Sequence, residues 1–107
     1  MDLFFSHYYM PITKAAGILI YKTENKKIHF LLRQSGGRGF SDFGGKREPI
    51  DMSPEDTAVR ECFEETNGVF NKEFLYGMAG ISIYIPQAKY RMYLMEITVS
   101  IDPVKVR

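Results

Sequence analysis

The stretch GGKREPIDMSPEDTAVRECFEETNGV, residues 44–69, decides how this chain is read. Ser53 is a good helix N-cap, Pro54 suits the first helical position, and Glu55 and Asp56 favour the positive end of the helix dipole. From there a helix can run to about Asn67, with Gly68 as its stop signal. At about 100° per residue, Glu61, Glu64 and Glu65 fall within one arc, while Ala58, Val59, Cys62, Phe63 and Thr66 occupy the other side. One face packs and the other presents three carboxylates. Like charges at these spacings cost an isolated helix about 0.2–0.5 kcal/mol per pair. Such a face is either plain solvated surface or the seat of a hard divalent cation, which prefers carboxylates, waters and phosphate oxygens.

Upstream, Gln34 to Gly45 holds Gly36, Gly37, Gly39, Gly44 and Gly45, which marks a loop needing unusual dihedrals or close approach to something. Lys46 and Arg47 follow directly. Free backbone amides and a lysine are what a phosphate chain needs. Further upstream, the small and β-branched run Ala15 to Tyr21 and the apolar run Ile28 to Arg33 flank the polar segment Lys22 to Lys27, which reads as a hairpin. Downstream, apolar stretches at Phe74–Tyr76, Gly80–Ile85 and Tyr90–Val99 are bounded by Pro86 and Pro103. Both faces of the last are mainly apolar, as in a strand covered on two sides. Strands, one helix, then strands indicate a mixed α/β arrangement.

The segment Gly44 to Val69 resembles the Nudix box: glycine, five residues, glutamate, seven residues, then Arg-Glu-hydrophobic-any-Glu-Glu-any-Gly-hydrophobic. Here Gly45 is followed by five residues, Asp51, eight residues, and Arg60-Glu61-Cys62-Phe63-Glu64-Glu65-Thr66-Asn67-Gly68-Val69. Asp51 stands where glutamate is usual, Met52 is extra before the helix, and Asn67 is extra before Gly68. Both insertions fall at the helix ends, so the Arg-Glu-x-x-Glu-Glu core keeps its spacing. Asp42-Phe43 replaces the proline common before the two glycines.

The resemblance implies an α/β/α sandwich with a mixed sheet, over a single domain spanning 1–107 that is truncated before the C-terminal helix. It implies hydrolysis of a pyrophosphate linkage in a nucleoside diphosphate joined to another moiety: a nucleotide, nucleotide sugar, dinucleoside polyphosphate or RNA cap. It assigns Mg²⁺ or Mn²⁺ to Glu61, Glu64, Glu65 and the Gly44 carbonyl, with Glu61 or Glu64 able to act as base. Arg60 is expected to orient a carboxylate, Asp51 or one of the glutamates. Lys46 and Arg33 are expected to contact phosphate, although Arg33 equally suits a surface ion pair. The altered box and the early end also suit a different class, a Nudix-fold nucleotide- or RNA-binding module without catalysis.

A chain of 107 residues makes one domain at most. The formal net charge of +1 gives bulk electrostatics little to offer a nucleic acid or a membrane, so an anionic ligand must be bound by local geometry. Cys62 is the only cysteine, which excludes an internal disulfide and fits a reducing compartment. With no spanning apolar run and no signal peptide, the expected location is cytoplasmic. A homodimer is compatible with all of this. Cys62 reads as core, Glu96 as an outward or paired side chain, and His7 and His29 as ordinary residues. Phe4, Phe5, Tyr8 and Tyr9 could stack on a base or pack.

Overall fold

The computed structural model describes residues 12–34, 36–78 and 80–98; Phe4, Phe5, His7, Tyr8, Tyr9 and Pro103 lie outside them. The hairpin forms as β1 (Ala15–Glu24) and β2 (Lys27–Leu31). Its turn narrows to Asn25 and Lys26, with φ of 53° and 63°. Two consecutive left-handed residues are what a tight hairpin turn requires. Lys22, Thr23, Glu24 and Lys27, read as turn from their polarity, therefore pair in the strands.

The glycine-rich segment is not a plain loop. Arg33–Gln34 (β3) pairs with Phe40–Ser41 (β4), and Gly36 and Gly39 carry the positive φ of the bend between them. Gly44 and Gly45 lie in β5 (Phe43–Lys46), antiparallel to the start of β1. The helix follows as α1 (Pro54–Glu65), capped by the Ser53 hydroxyl, which accepts from the Asp56 N–H at 3.1 Å.

A second helix, α2 (Lys72–Met78), replaces the strand-like reading of Phe74–Tyr76. The Asn71 side chain accepts from the Phe74 N–H at 2.8 Å, capping the first turn, and Leu75 is fully buried. Two turns are too short for a helical period to show in sequence. The chain closes with β6 (Ser82–Ile85) and β7 (Tyr90–Glu96), giving a mixed sheet ordered β2-β1-β7-β6 with β1 parallel to β7.

The core lies between the sheet and the two helices. Ala16, Ile18 and Ile20 alternate onto that side, meeting Phe43, Met95, Ala58, Val59, Cys62 and Leu75. Cys62 is buried there and its thiol is pushed up to about 12, mainly by burial. Thr66, also buried, closes α1 by donating to the Cys62 carbonyl at 2.7 Å. Glu96 is paired, accepting from Thr23 at 3.3 Å. Among the described residues no helix is long and apolar enough to cross a membrane.

Candidate active site

α1 packs across β1 and β5, which sets its acidic edge against Gly44 and Gly45. Arg60 is the hub of that edge. Its Nε and Nη2 donate to Asp51 Oδ1 and Oδ2 at 3.0 and 2.8 Å, a bidentate pair. Nη2 also reaches the Lys46 carbonyl at 3.1 Å. Nη1 lies 2.9 Å from Glu61, 3.5 Å from Glu48 and 3.6 Å from Glu64. Asp51 is only 3% exposed and also accepts from the Glu48 N–H and the Thr57 hydroxyl, each at 2.9 Å. Arg60 first, then these two donors, hold its carboxyl well below the usual range against the opposing effect of burial. The orienting role expected of Arg60 thus falls first on Asp51, and Asp51 in turn ties the loop at Glu48 to the helix at Thr57.

Glu61 is pressed against Gly45. A Cβ at that position would stand 2.5 Å from the Glu61 carboxyl carbon. Gly45→Ala is therefore expected to displace Glu61 and to destabilise the domain by about 1–3 kcal/mol. Urea unfolding measures this, and an unchanged midpoint would mean the contact is slack.

Glu65 faces the adjacent glycine. The 14–47 backbone bond, Arg47 N–H to Lys14 carbonyl at 2.8 Å, sets the ladder alternation, which makes Gly17–Gly44 a non-hydrogen-bonded pair. The N–H and carbonyl of Gly44 consequently point away from β1, along the open edge. Glu65 Oε2 pairs with Arg33 Nη1 at 3.2 Å, while Oε1 is buried and has no hydrogen-bond partner. Burial raises the Glu65 carboxyl to about 7; Arg33 opposes the rise, as does the Gly44 amide, which faces the carboxyl without making a well-formed hydrogen bond to Oε1, and Glu61 adds to it. Arg33 is thus engaged with a carboxylate. Lys46 stands exposed beside the site, at an open cavity.

Two further residues join from the other side of the sheet. The Tyr90 hydroxyl donates to Asp42 Oδ2 at 2.7 Å and crosses over Gly17 and Gly44, where a Cβ on either glycine would collide with it. Burial pushes Asp42 up and Tyr90 up, the shared hydrogen bond opposing the first shift and reinforcing the second. The sequence carried a signal for this pair in Gly17, which stands within the strand-forming run Ala15 to Tyr21, and in Asp42, which stands in the entry to the glycines.

Comparison with known proteins shows the family. The NUDIX domain profile matches residues 11–98. The chain belongs to the Nudix family. A C. elegans Ap4A hydrolase is similar in structure, with a TM-score of 0.57 and 23% identity, over 90% of this chain and 74% of that one. The same enzyme in a binary complex gives 0.55 and 26%, over 79% and 66%. The Nudix hydrolase RenU from M. Smegmatis gives 0.54 and 14%, over 92% and 70%. A curated relative, the uncharacterized protein L534 of Acanthamoeba polyphaga mimivirus, is 35% identical over 63 residues. The match covers 53% of this chain and spans about a fifth of that protein, 20% of its length.

This Nudix domain has donors of the right kind for the family's divalent cation. A buried carboxylate oxygen without a hydrogen bond, a second carboxylate beside it and an outward-facing glycine carbonyl are hard oxygen ligands. They do not form a closed set: among the described residues, no three acidic, histidine or cysteine side chains come together as a metal-holding group. The arginines account for this. Arg60 draws Glu61 and Glu64 toward itself, and Arg33 holds Glu65. Glu61 and Glu65 are 16% and 13% exposed, so two of the three carboxylates are not plain solvated surface; Glu64, at 56%, is the exposed member of the set.

Proposed function

We propose that this Nudix domain is a hydrolase that cleaves a pyrophosphate linkage in a nucleoside-diphosphate-containing substrate, with Mg²⁺ or Mn²⁺ held by Glu61, Glu64, Glu65 and the Gly44 carbonyl. The observation that carries the reading is the orphaned Glu65 oxygen, buried against Gly44 beside Glu61. A buried polar atom left unpaired costs about 1–3 kcal/mol, and a bound cation removes that cost. The likeness to an Ap4A hydrolase supports a substrate with a phosphate chain between nucleosides, or a related nucleotide.

When bound, the divalent cation neutralises phosphate charge and acidifies a water. The protein's own groups supply the rest. Arg60 and Asp51 fix the helix and glycine strand relative to each other, so that Glu61 and Glu65 keep one spacing. Glu64 is the most exposed of the three and the looser of the two that Arg60 holds, which suits it to take a proton from the attacking water. Lys46 meets the phosphates from the adjacent strand end.

A panel of nucleotides, nucleotide sugars, dinucleoside polyphosphates and capped RNA, incubated with Mg²⁺ or Mn²⁺ and read by product mass, tests the reading. Metal-dependent release of a nucleoside monophosphate or phosphate is expected. The pairing of Glu61 and Glu64 with Arg60, and of Glu65 with Arg33, favours a second reading, a nucleotide-binding module without catalysis. Ligand binding with no product from any member of the panel would establish that second reading.

A further inference from the structure

We infer that the hydrogen bond between Tyr90 and Asp42 is a positioning device for the cation site: it clamps the glycine strand from the face away from α1 and keeps the Gly44 carbonyl turned to the acidic edge. The purpose of the clamp rests on the metal-dependent reading above; the clamp itself does not. The first observation is what β5 lacks. Gly17–Gly44 is a non-hydrogen-bonded pair, so neither backbone polar group of Gly44 is tied to β1. Gly44 also has no side chain to pack, and glycine has the widest choice of backbone conformations. The proline common at this entry in the family would fix one dihedral, but Asp42-Phe43 stands there instead. The direction of the Gly44 carbonyl therefore needs a restraint from outside the ladder.

The second observation is what supplies it. Tyr90 opens β7 beside Ala15 of β1. Its side chain crosses β1 above Gly17 and ends over Gly44, with the hydroxyl in the space that a Cβ on either glycine would fill. From there it donates to Asp42 Oδ2 at 2.7 Å, immediately ahead of β5. One hydrogen bond thus joins β7 to the entry of β5 across the two glycines. Gly17 is as necessary as Tyr90, because any side chain there would block the crossing. The third observation is reach. The Gly44 amide faces the Glu65 carboxyl on one side while the Tyr90 hydroxyl lies on the other. Burial leads the upward shifts of Glu65 and Tyr90; beyond it and the bond itself, Asp42 adds to the first, and Glu65 and Glu61 add to the second. The pair is therefore within electrostatic reach of the acidic edge. Groups that orient a ligand from behind tune metal affinity without touching the metal, and here they act through Gly44.

Tyr90→Phe keeps the ring over the glycines and removes only the hydroxyl. Two measurements on the whole chain test the inference. In EDTA, amide hydrogen exchange at Phe43 and Gly45, whose N–H groups the ladder alternation directs to β1, should quicken about threefold or more relative to the amides of α1. Calorimetric titration of Mn²⁺ should show binding weakened roughly 3- to 10-fold. Asp42→Ala should match Tyr90→Phe, whereas Asp42→Asn keeps an acceptor for the hydroxyl and should retain the affinity. Tyr84→Phe, which deletes a strand hydroxyl that donates to the Ile12 carbonyl at 2.7 Å, should change neither readout. Unaltered exchange in Tyr90→Phe overturns the clamp. Faster exchange with unaltered Mn²⁺ affinity reduces the pair to an ordinary structural contact and leaves the metal reading standing. A loss in Asp42→Asn as large as in Asp42→Ala assigns the effect to charge and overturns the positioning role. A wild-type chain that binds no Mn²⁺ sinks the metal reading and with it the clamp's purpose, while the exchange rates still decide whether the clamp exists.

Discussion

Glu65→Gln is expected to make the metal-free domain more stable at pH 8 while lowering turnover by at least about a hundredfold. The two effects share one cause. In the folded chain the Glu65 carboxyl holds its proton to about pH 7, because burial and Glu61 outweigh Arg33 and the Gly44 amide. In the unfolded chain it releases that proton near the ordinary glutamate value of 4.5. The native state thus binds the proton more tightly, and stability falls as pH rises from about 4.5 through 7. Over that window the metal-free protein should lose roughly 2–3 kcal/mol. Glutamine cannot ionise, so the slope disappears in the variant. Urea melts in EDTA between pH 5 and 8 measure it. A wild-type profile as flat as that of the variant would mean that the buried Oε1 already has a partner. Added Mg²⁺ or Mn²⁺ should stabilise the wild type at pH 8 by mass action and leave Glu65→Gln nearly unmoved.

The loss of turnover separates the two functional readings. A binding module without catalysis would show the change in stability alone. A hydrolase should also lose activity in Glu64→Gln, whose side chain is exposed and whose replacement barely disturbs the fold. Turnover that survived both substitutions would sink the assignment of these carboxylates.

What could be read in the sequence follows from where side chains carry the pattern. α1 announced itself because Ser53 and Pro54 mark its start and because its apolar and acidic residues segregate onto opposite sides. The β1–β2 hairpin was visible as two apolar runs around a polar turn, although the polar ends of its strands were not. β5 was hidden because Gly44 and Gly45 have no side chains to alternate, and glycines that admit a close neighbour look the same in sequence as glycines that bend a loop. α2 is two turns long and depends on Leu75 entering a core built by other elements. The three carboxylates were legible, and so was an orienting role for Arg60, but the partner of Arg33 was not. Arg33 and Glu65 are far apart in sequence and meet only through the fold.

Arg60→Met should be the most damaging single substitution in the domain. The Arg60 side chain is 13% exposed and its guanidinium is the main partner of Asp51, whose side chain is 3% exposed. Removing one member of a buried pair strands the other as an uncompensated charge, which costs about 3–5 kcal/mol. That is a large share of the roughly 5–15 kcal/mol available to a small domain. Lysine should not rescue it, because a single ammonium cannot span both Asp51 oxygens, the Lys46 carbonyl and Glu61 at once. Asp51→Asn in the Arg60→Met background removes the stranded charge and should recover part of the stability, whereas Asp51→Asn alone should destabilise. A double-mutant cycle by urea denaturation measures this coupling. Additive losses would mean that the pair is incidental. The cycle has a second readout. If Arg60 restrains Glu61 and Glu64 as well as bracing Asp51, the double variant should bind divalent cations with altered affinity even where its fold is restored. Recovery of stability with unaltered cation affinity would confine Arg60 to holding the glycine strand against the helix.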